Sequence, residues 1–515
     1  MAYVEHRLIR KGSLESRMYQ EAILGRAVEN NLLCVLPTGL GKTPIAIVLS
    51  VFRLEKYPGS KILILAPTKP LIEQHLNTFR DVLNLPENDF VLLTGMIKPE
   101  DREESYRQSK IIFATPQTVE NDLKNKRLDL EGFSLVVFDE AHHSIGDYAY
   151  PYIAKAYLEN AKNPRILGLT ASPGGTKEKI SEIMNNLGIE KVEIRTEEDF
   201  DVKPFVKKKQ IEWIHVELPQ TFFNIRESLR KSYENRLKNL KKLGFSKPVR
   251  LVNKRDLLDL QKKFAASGSS HRKFWGVSLV SQAIKAEHAL SLIETQGINS
   301  LESYFRKMRS EKARSSQSLV KDSDVKKAMY LTGKLSEKGF RHPKISKLCE
   351  IVSSQLRANP RSKIIVFANY RNMVREIVGV LGEVEKAKSI EFMGQREGLT
   401  QKEQKKRISE FREGKYNILV TTSVGEEGID IPEMELAVFY EPVPSEIRSI
   451  QRRGRVGRTK LGKIMILITK KTRDEAYYWT AHRKESLMKK TLYRMKSEEP
   501  PKRKGQLKLE DFKDL

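Results

Sequence analysis

Cysteine is nearly absent from this chain: its 515 residues include two, Cys34 and Cys349. Two distant thiols can build neither a disulfide framework nor a four-ligand zinc site, and their scarcity points to an intracellular chain. Long apolar runs are missing too. Residues 62–67 are among the most apolar, and that length makes a strand, not a membrane span. Residues 1–12 carry charges and no apolar segment, so no signal peptide is expected. Acidic charge is the scarcer sign, with 66 Asp and Glu against 93 Lys and Arg, a net charge of +27 and a pI near 9.7. Such an excess calls for a polyanionic partner, most simply nucleic acid, and no membrane. The excess is also localised. Residues 203–341 hold 31 Lys and Arg against 13 Asp and Glu, so +18 of the +27 falls there.

The length exceeds what one core can organise, so two to four domains are expected. Short β-branched runs at 33–36, 62–65, 111–114, 135–138 and 166–169 alternate with helix-like segments. The runs are continuous rather than alternating, as strands buried on both faces must be. This predicts a doubly wound parallel sheet. The pattern resumes at 363–368, 390–393, 417–421, 436–440 and 464–469. Between the two α/β lobes lies a basic, leucine-rich stretch. It opens with the strand-like run 211–216 and then shows helical spacing over 222–243 and 277–293. Residues 267–270 read as a loop. Residues 473–496 read as one more helix, followed by an exposed linker.

Two runs carry phosphate chemistry. In Leu36-Pro37-Thr38-Gly39-Leu40-Gly41-Lys42-Thr43, the glycines free backbone N–H groups to turn onto phosphates at a helix N-terminus. Lys42 is placed to reach the β- and γ-phosphates of ATP and Thr43 to hold Mg2+. Leu36 occupies the first glycine position of the strict pattern. In Val136-Val137-Phe138-Asp139-Glu140, an apolar strand ends on two carboxylates. Asp139 is expected to bind Mg2+ and Glu140 to orient or deprotonate the attacking water. The histidines that follow, His142 and His143, lack the order of a zinc protease. His143 reads as an ordinary polar loop residue, and His142 as a link from the nucleotide site to the other lobe.

These runs belong to an ordered series that resembles the superfamily 2 DExH helicases and translocases over about residues 18–458. Tyr19-Gln20 resembles the adenine-contact motif, with Gln20 on the base edge. Ala66-Pro67-Thr68-Lys69-Pro70-Leu71, Thr94-Gly95 and Ala114-Thr115-Pro116-Gln117-Thr118 resemble the motifs that grip the nucleic-acid backbone. Leu169-Thr170-Ala171-Ser172-Pro173, Ile365-Val366-Phe367-Ala368-Asn369-Tyr370-Arg371, residues 421–432 and residues 451–458 resemble motifs III to VI. The resemblance implies that Thr38, Gly39, Gly41, Gly428 and Asp430 lie at the nucleotide, and that Gln451 contacts the γ-phosphate or water. Arg455 and Arg458 are implied as arginine fingers, Thr68, Thr115 and Thr421 as backbone-gripping hydroxyls, and Thr170 and Ser172, with His142, as coupling residues. It also implies two RecA-like lobes, at 1–205 and at 341–496 with the C-terminal helix. A basic helical, nucleic-acid-binding insertion at 206–340 and a flexible tail at 497–515 complete the layout.

The insertion together with Asp139-Glu140-Ala141-His142-His143 and Gln451-Arg452-Arg453-Gly454-Arg455-Val456-Gly457-Arg458 is similar to the archaeal Hef and Fanconi anaemia M branch. The function this implies is an ATP-dependent DNA helicase or translocase on forks and junctions, in replication-fork repair. Such a protein is nucleoid-associated in a prokaryote and nuclear in a eukaryote. The nuclease motif that often follows in Hef, E-R-K-x-x-x-D, is not found after Arg458. Gln506, Leu509 and Phe512 partly match a sliding-clamp-binding peptide. Two other functions compete. One is a duplex-RNA-stimulated translocase of the RIG-I type. The other is a nucleic-acid scaffold with weak ATPase, against which Lys42, Asp139, Glu140, Arg455 and Arg458 all argue.

Overall fold

The computed structural model describes residues 3–206, 209–249, 252–266, 271–394, 400–422, 425, 434–443, 445–453 and 462–497. The first lobe runs α1 (Met18–Glu29), β1 (Leu32–Val35), α2 (Lys42–Lys56), β2 (Lys61–Leu65), α3 (Lys69–Val82), β3 (Phe90–Leu93), α4 (Pro99–Gln108) and β4 (Ile111–Ala114). It continues through α5 (Pro116–Lys124), β5 (Phe133–Asp139), α6 (Ala149–Asn160), β6 (Ile166–Thr170), α7 (Lys177–Leu187) and β7 (Lys191–Ile194). Its strands form one parallel sheet in the order β3-β4-β2-β5-β6-β1-β7.

The continuous apolar runs sort residue by residue onto the two faces. Leu32 and Cys34 join Ile62, Ile64 and Leu135 in a core with Ile23 of α1, Leu49 of α2 and Phe79 of α3. Leu33 and Val35 join Leu63, Leu65 and Val136 against Val119 of α5, Ile153 of α6 and Ile183 of α7. Each strand residue therefore has an apolar partner layer, which is why no polar alternation shows in the sequence. The strands not anticipated, β3 and β7, are the two edges of the sheet. β7 mixes Lys191 and Glu193 into its run, which dilutes the pattern, whereas β3 is a continuous apolar run that the sequence reading passes over.

Next come β8 (Lys209–Val216) and the helices α8 (Gln220–Lys242), α9 (Lys254–Ala266), α10 (His271–Thr295), α11 (Ile298–Ser310), α12 (Arg314–Lys321) and α13 (Ser323–Glu337). The helices form a bundle with its own cores. Phe222, Ile225, Ile293, Leu301 and Phe305 fill one, and Leu237, Leu240, Leu257 and Val280 the other. β8 corrects an expectation. The run 211–216 does not open the insertion; it is the edge strand of the second sheet, parallel to β13 over eight residue pairs.

The second lobe contains α14 (Pro343–Ala358), β9 (Ile364–Phe367), α15 (Arg371–Leu381), β10 (Ser389–Phe392), α16 (Gln401–Arg412), β11 (Ile418–Thr421), β12 (Leu436–Phe439), α17 (Glu446–Arg453), β13 (Gly462–Thr469) and α18 (Arg473–Ser497). Its parallel sheet has the order β10-β11-β9-β12-β13-β8. The chain thus folds as two RecA-like lobes with an inserted helical bundle. α18 does more than close the second lobe. Its Met488 and Leu492 enter the first lobe's core, Thr491 Oγ1 donates to Gly175 O at 3.3 Å, and Tyr493 Oη donates to Glu198 at 2.9 Å. No helix among the described residues is long and apolar enough to cross a membrane. The loop read at 267–270 and the clamp-like residues Gln506, Leu509 and Phe512 lie outside the described residues.

The bundle meets the second lobe at His342, the N-cap of α14. Its Nδ1 accepts from Lys344 N at 3.2 Å, and its Nε2 lies 3.2 Å from Glu294 O. Burial, reinforced by the Lys344 charge and only partly offset by the Glu294 carbonyl, pushes this imidazole down from 6.5 to about 3. The unfolded chain therefore takes up a proton that the folded chain refuses. Stability falls as pH drops below 6.5 and stops falling, on this account, near 3. His342→Asn, which keeps a cap acceptor, is expected to flatten the loss of urea midpoint between pH 6.5 and about 5, a window above ordinary carboxylate titration. An unchanged slope would contradict this assignment.

Candidate nucleotide site

Residues 36–41 turn the chain from β1 into α2. Gly39 and Gly41 sit at φ +82° and +78°, and Gly41 caps the helix. Side chains rarely adopt this left-handed backbone, and it leaves the first amides of a 15-residue helix without intrahelical acceptors. With the helix dipole they form a ready site for an anion. The departure at Leu36 has a simple cause. Its N–H donates to Thr170 O at 3.0 Å and its side chain is fully buried, so the position just past β1 is still held against the end of β6. The loop proper begins later, where the glycines are. Lys42 Nζ folds back to Leu36 O at 3.2 Å.

Gln20 is placed on this loop. Its Nε2 donates to Leu40 O at 3.3 Å and Gly41 O at 3.1 Å, while the Tyr19 hydroxyl donates to Leu40 O at 2.6 Å. Tyr19 was quoted only as Gln20's neighbour, yet it props the loop more directly. Its signal in the sequence was an aromatic with a polar tip on the buried face of α1.

Asp139 ends β5, and β6 separates that strand from β1. Its Oδ2 lies 2.7 Å from His75 Nε2, and its carbonyl accepts from the Tyr150 hydroxyl at 2.7 Å. Burial pushes the carboxyl up. The facing His75 with its hydrogen bond, the Lys42 charge and the Glu140 N–H outweigh that and hold it below the ordinary carboxylate range. His75 is a functional neighbour that sequence reasoning missed. The only hint was a polar residue on the apolar face of α3, beside Ile72, Leu76 and Phe79. An ionised Asp139 and the Thr43 hydroxyl are hard oxygen donors, and they fit Mg2+.

Glu140 occupies the left-handed region at φ +49°, a conformation costly for a side-chain-bearing residue and frequent at active sites. Its Oε2 lies 3.3 Å from His142 Nδ1, which is also 3.2 Å from Thr170 Oγ1. Thr170 Oγ1 in turn accepts from Ser172 N at 3.1 Å, and Ser172 Oγ is 3.1 Å from Met488 Sδ. The three residues expected to couple the site thus form one chain of contacts, and it ends on α18. His143 stacks its ring at 4.6 Å from His142 and 5.3 Å from Tyr148.

Thr68 and Thr115 are the N-caps of α3 and α5, and neither side chain caps its own helix. Thr421 is placed differently. It is buried at the end of β11, and its hydroxyl donates to Thr422 O at 3.1 Å, so it offers no free donor. Gln451 lies on α17. Gly428, Asp430, Arg455 and Arg458 lie outside the described residues.

A Cβ on Gly41 would collide with Gln20 Nε2 at a φ that disfavours any side chain. Gly41→Ala is therefore expected to cost about 1–2 kcal/mol in backbone strain and to lower ATPase kcat/KM at least tenfold. Adding Gln20→Ala removes the collision and should recover part of the stability loss. Wild-type kinetics in the single variant would contradict the geometry.

Comparison with known proteins extends this reading. Residues 13–175 match the family model "Type III restriction enzyme, res subunit", residues 343–460 the "Helicase conserved C-terminal domain", and residues 221–339 "Putative ATP-dependent RNA helicase, helical bundle". A Methanocaldococcus jannaschii protein described as a putative ATP-dependent RNA helicase is 43% identical over 497 residues, 96% of this chain and 63% of the relative. The ATP-dependent DNA helicase mph1 of Sclerotinia sclerotiorum is 33% identical over 90% of this chain and 40% of its own length. The chain thus spans less than two thirds of either relative. The crystal structure of the Pyrococcus furiosus Hef helicase domain matches with a TM-score of 0.71 and 46% identity, covering 92% of this chain and 100% of that one. A phosphate loop, a strand-end carboxylate pair and a helical bundle between two RecA-like lobes coincide with these matches, and the chain belongs to the superfamily 2 ATP-dependent helicases of the Hef, Fanconi anaemia M and Mph1 type.

Proposed function

We propose that the chain couples ATP hydrolysis to movement along nucleic acid, with forked or branched DNA as its substrate in replication-fork repair. The observation that carries the motor reading is a row of helix N-termini. β3, β4 and β2 are neighbours, and each feeds a helix: α4, α5 and α3. Each of these helices has proline in its first turn, namely Pro99, Pro116 and Pro70, which pre-sets the helical start at the sheet edge. The row lies along the carboxyl edge of the sheet, beside an open groove lined by Gly95, Lys98, Thr115 and Gln117. Amides and threonine hydroxyls so arranged bind phosphates without reading bases, as a translocating motor requires.

In this reading Lys42 and the amides of the phosphate loop bind the ATP phosphates. Thr43 and Asp139 hold Mg2+, which supplies charge neutralisation at the β- and γ-phosphates. Glu140 orients the attacking water, and Gln451, Arg455 and Arg458 meet the nucleotide from the second lobe beside Gly428 and Asp430. Thr68 and Thr115 grip the backbone. Thr421 acts by shaping the end of β11. The basic bundle holds the branched part of the substrate, as its +18 net charge between residues 203 and 341 suggests.

The name of the fungal relative supports DNA. The names of the archaeal relative and of the bundle's family model favour a second reading, in which duplex RNA is the stimulating polymer. Steady-state ATPase at one fixed salt concentration separates them, using single-stranded DNA, linear duplex, a fork, a four-way junction and duplex RNA. Fork or junction is expected to stimulate most, by at least fivefold over linear duplex. Strongest stimulation by duplex RNA would overturn the DNA reading and leave the motor intact.

A further inference from the structure

The corner between α10 and α11 is pinned into the second lobe by buried polar contacts that neither fold nor chemistry accounts for. Gln296 occupies the corner and is 1% exposed. Its Nε2 donates to Glu441 Oε1 at 2.5 Å. Glu441, 2% exposed, stands two residues beyond β12, and its carboxylate accepts the Asn369 N–H at 3.1 Å and 3.3 Å. Asn369 and Glu441 both hold Arg452. Arg452 Nη2 donates to Asn369 Oδ1 at 2.9 Å, and Nη1 to Glu441 O at 3.3 Å. The Arg452 guanidinium is wholly buried, 5.1 Å from the Phe367 ring centroid and 5.5 Å from that of Phe439. Arg452 lies in the last turn of α17, beside Gln451 and just before the segment that carries Arg455 and Arg458.

The corner itself is rigid. Gly297 sits at φ +96°, and a Cβ there would lie 2.9 Å from His342 Cβ. α10 is also tied to α18, because Arg473 pairs with Glu287 and, at 3.3 Å, with Glu294. From the corner α10 runs for 25 residues, about 37 Å at 1.5 Å per residue. Near its far end Phe274 and Trp275 are exposed, and the end of α9 packed alongside exposes Lys262 and Lys263. A long stiff helix with an aromatic and basic far end and a buried hydrogen-bonded near end has the form of a lever.

We propose that Gln296 and Glu441 couple the helical bundle to the ATPase without taking part in basal hydrolysis, transmitting the engagement of nucleic acid through α10 to Arg452 and α17. This rests on the reading that the bundle contacts nucleic acid. Movement of the far end of α10 turns about the corner, and the Gln296–Glu441 bond carries it to Asn369 and Arg452. Because Arg452 has its planar charge fixed by two acceptors and two rings, a shift of Glu441 reorients α17 rather than dissipating in a loose side chain.

The test uses the full chain. Gln296→Glu sets two carboxylates against each other. Adding Glu441→Gln restores an acid–amide bond with the roles exchanged, and the new amide oxygen still accepts from Asn369 N. Gln296→Met, of similar length and without donors, serves as the second disruption should Gln296→Glu fold poorly. Basal ATPase, fork-stimulated ATPase and fork affinity by anisotropy are read at one salt concentration. Gln296→Glu and Gln296→Met are expected to keep basal rate and fork affinity within twofold and to lose at least fivefold of the stimulation. The exchanged pair is expected to regain it. Full stimulation in both disrupted variants, an equal fall of basal and stimulated rates, or no recovery in the exchanged pair would overturn the proposal. Reversing Lys262 and Lys263 to glutamate and replacing Phe274 and Trp275 by alanine separates the underlying reading. Unchanged fork affinity there would show that the bundle's far end is not the contact, whatever the node variants do.

Discussion

The rest of this structure depends on one constraint: every strand of both sheets runs parallel to its neighbours. A parallel sheet needs a crossover for each strand, so helices cover both faces and the strand interiors must be apolar on both sides. Chemistry is thereby expelled from the sheets and gathered at their carboxyl edges, where strands give way to helix N-termini. Gly41, Asp139, Glu140, Thr170, Thr68 and Thr115 all sit at or just beyond such an edge in the first lobe. Asn369 and Glu441 do so in the second. The groups proposed for ATP and those proposed for the polymer are neighbours because the strands that carry them are neighbours.

A second level of organisation ties the bodies together. α18 begins beside the bundle, where Arg473 meets Glu287, and its Asp474, fully buried, accepts from Thr469 N and pairs with Lys344. It then passes α17 through the Arg453–Glu485 ion pair at 2.5 Å. It ends among the first lobe's helices, with Met488 against Ser172. One helix therefore touches the bundle, the helix that precedes Arg455 and Arg458 in the sequence, and the residues linked to Glu140. Any movement between these bodies must therefore be accommodated at the contacts of α18.

How much was legible in the sequence followed the physics of each signal. Strands buried on two faces announce themselves as apolar runs, and the interior strands of both sheets were read to within a residue or two. β7 was not read because Lys191 and Glu193 break its apolar run, and β3, an apolar run of four, was passed over. β8 was read as a strand and assigned to the wrong body, because its partner β13 lies some 250 residues away and pairing over that span leaves no local trace. The phosphate loop and the carboxylate pair were legible because backbone freedom and charge must appear in sequence where they act. His75, Tyr19 and Glu441 were not, since each acts through a tertiary contact, His75 with Asp139, Tyr19 with the Leu40 carbonyl and Glu441 with Asn369. Thr421 shows the reverse error: its hydroxyl type suggested a grip, and its burial spends the hydroxyl on Thr422.

If the proposed motor works as two lobes sharing one nucleotide, ATP held by Lys42 in the first lobe must draw the second lobe toward it. The most direct test is a distance measurement between spin labels at positions 159 and 385, exposed on the first and second lobes. Cys349 is replaced by serine, while Cys34, whose thiol burial pushes up to about 12, stays unreactive to the label. The account predicts a shorter and narrower distance distribution with a non-hydrolysable ATP analogue and fork DNA, relaxing with ADP. A distribution indifferent to nucleotide would contradict it.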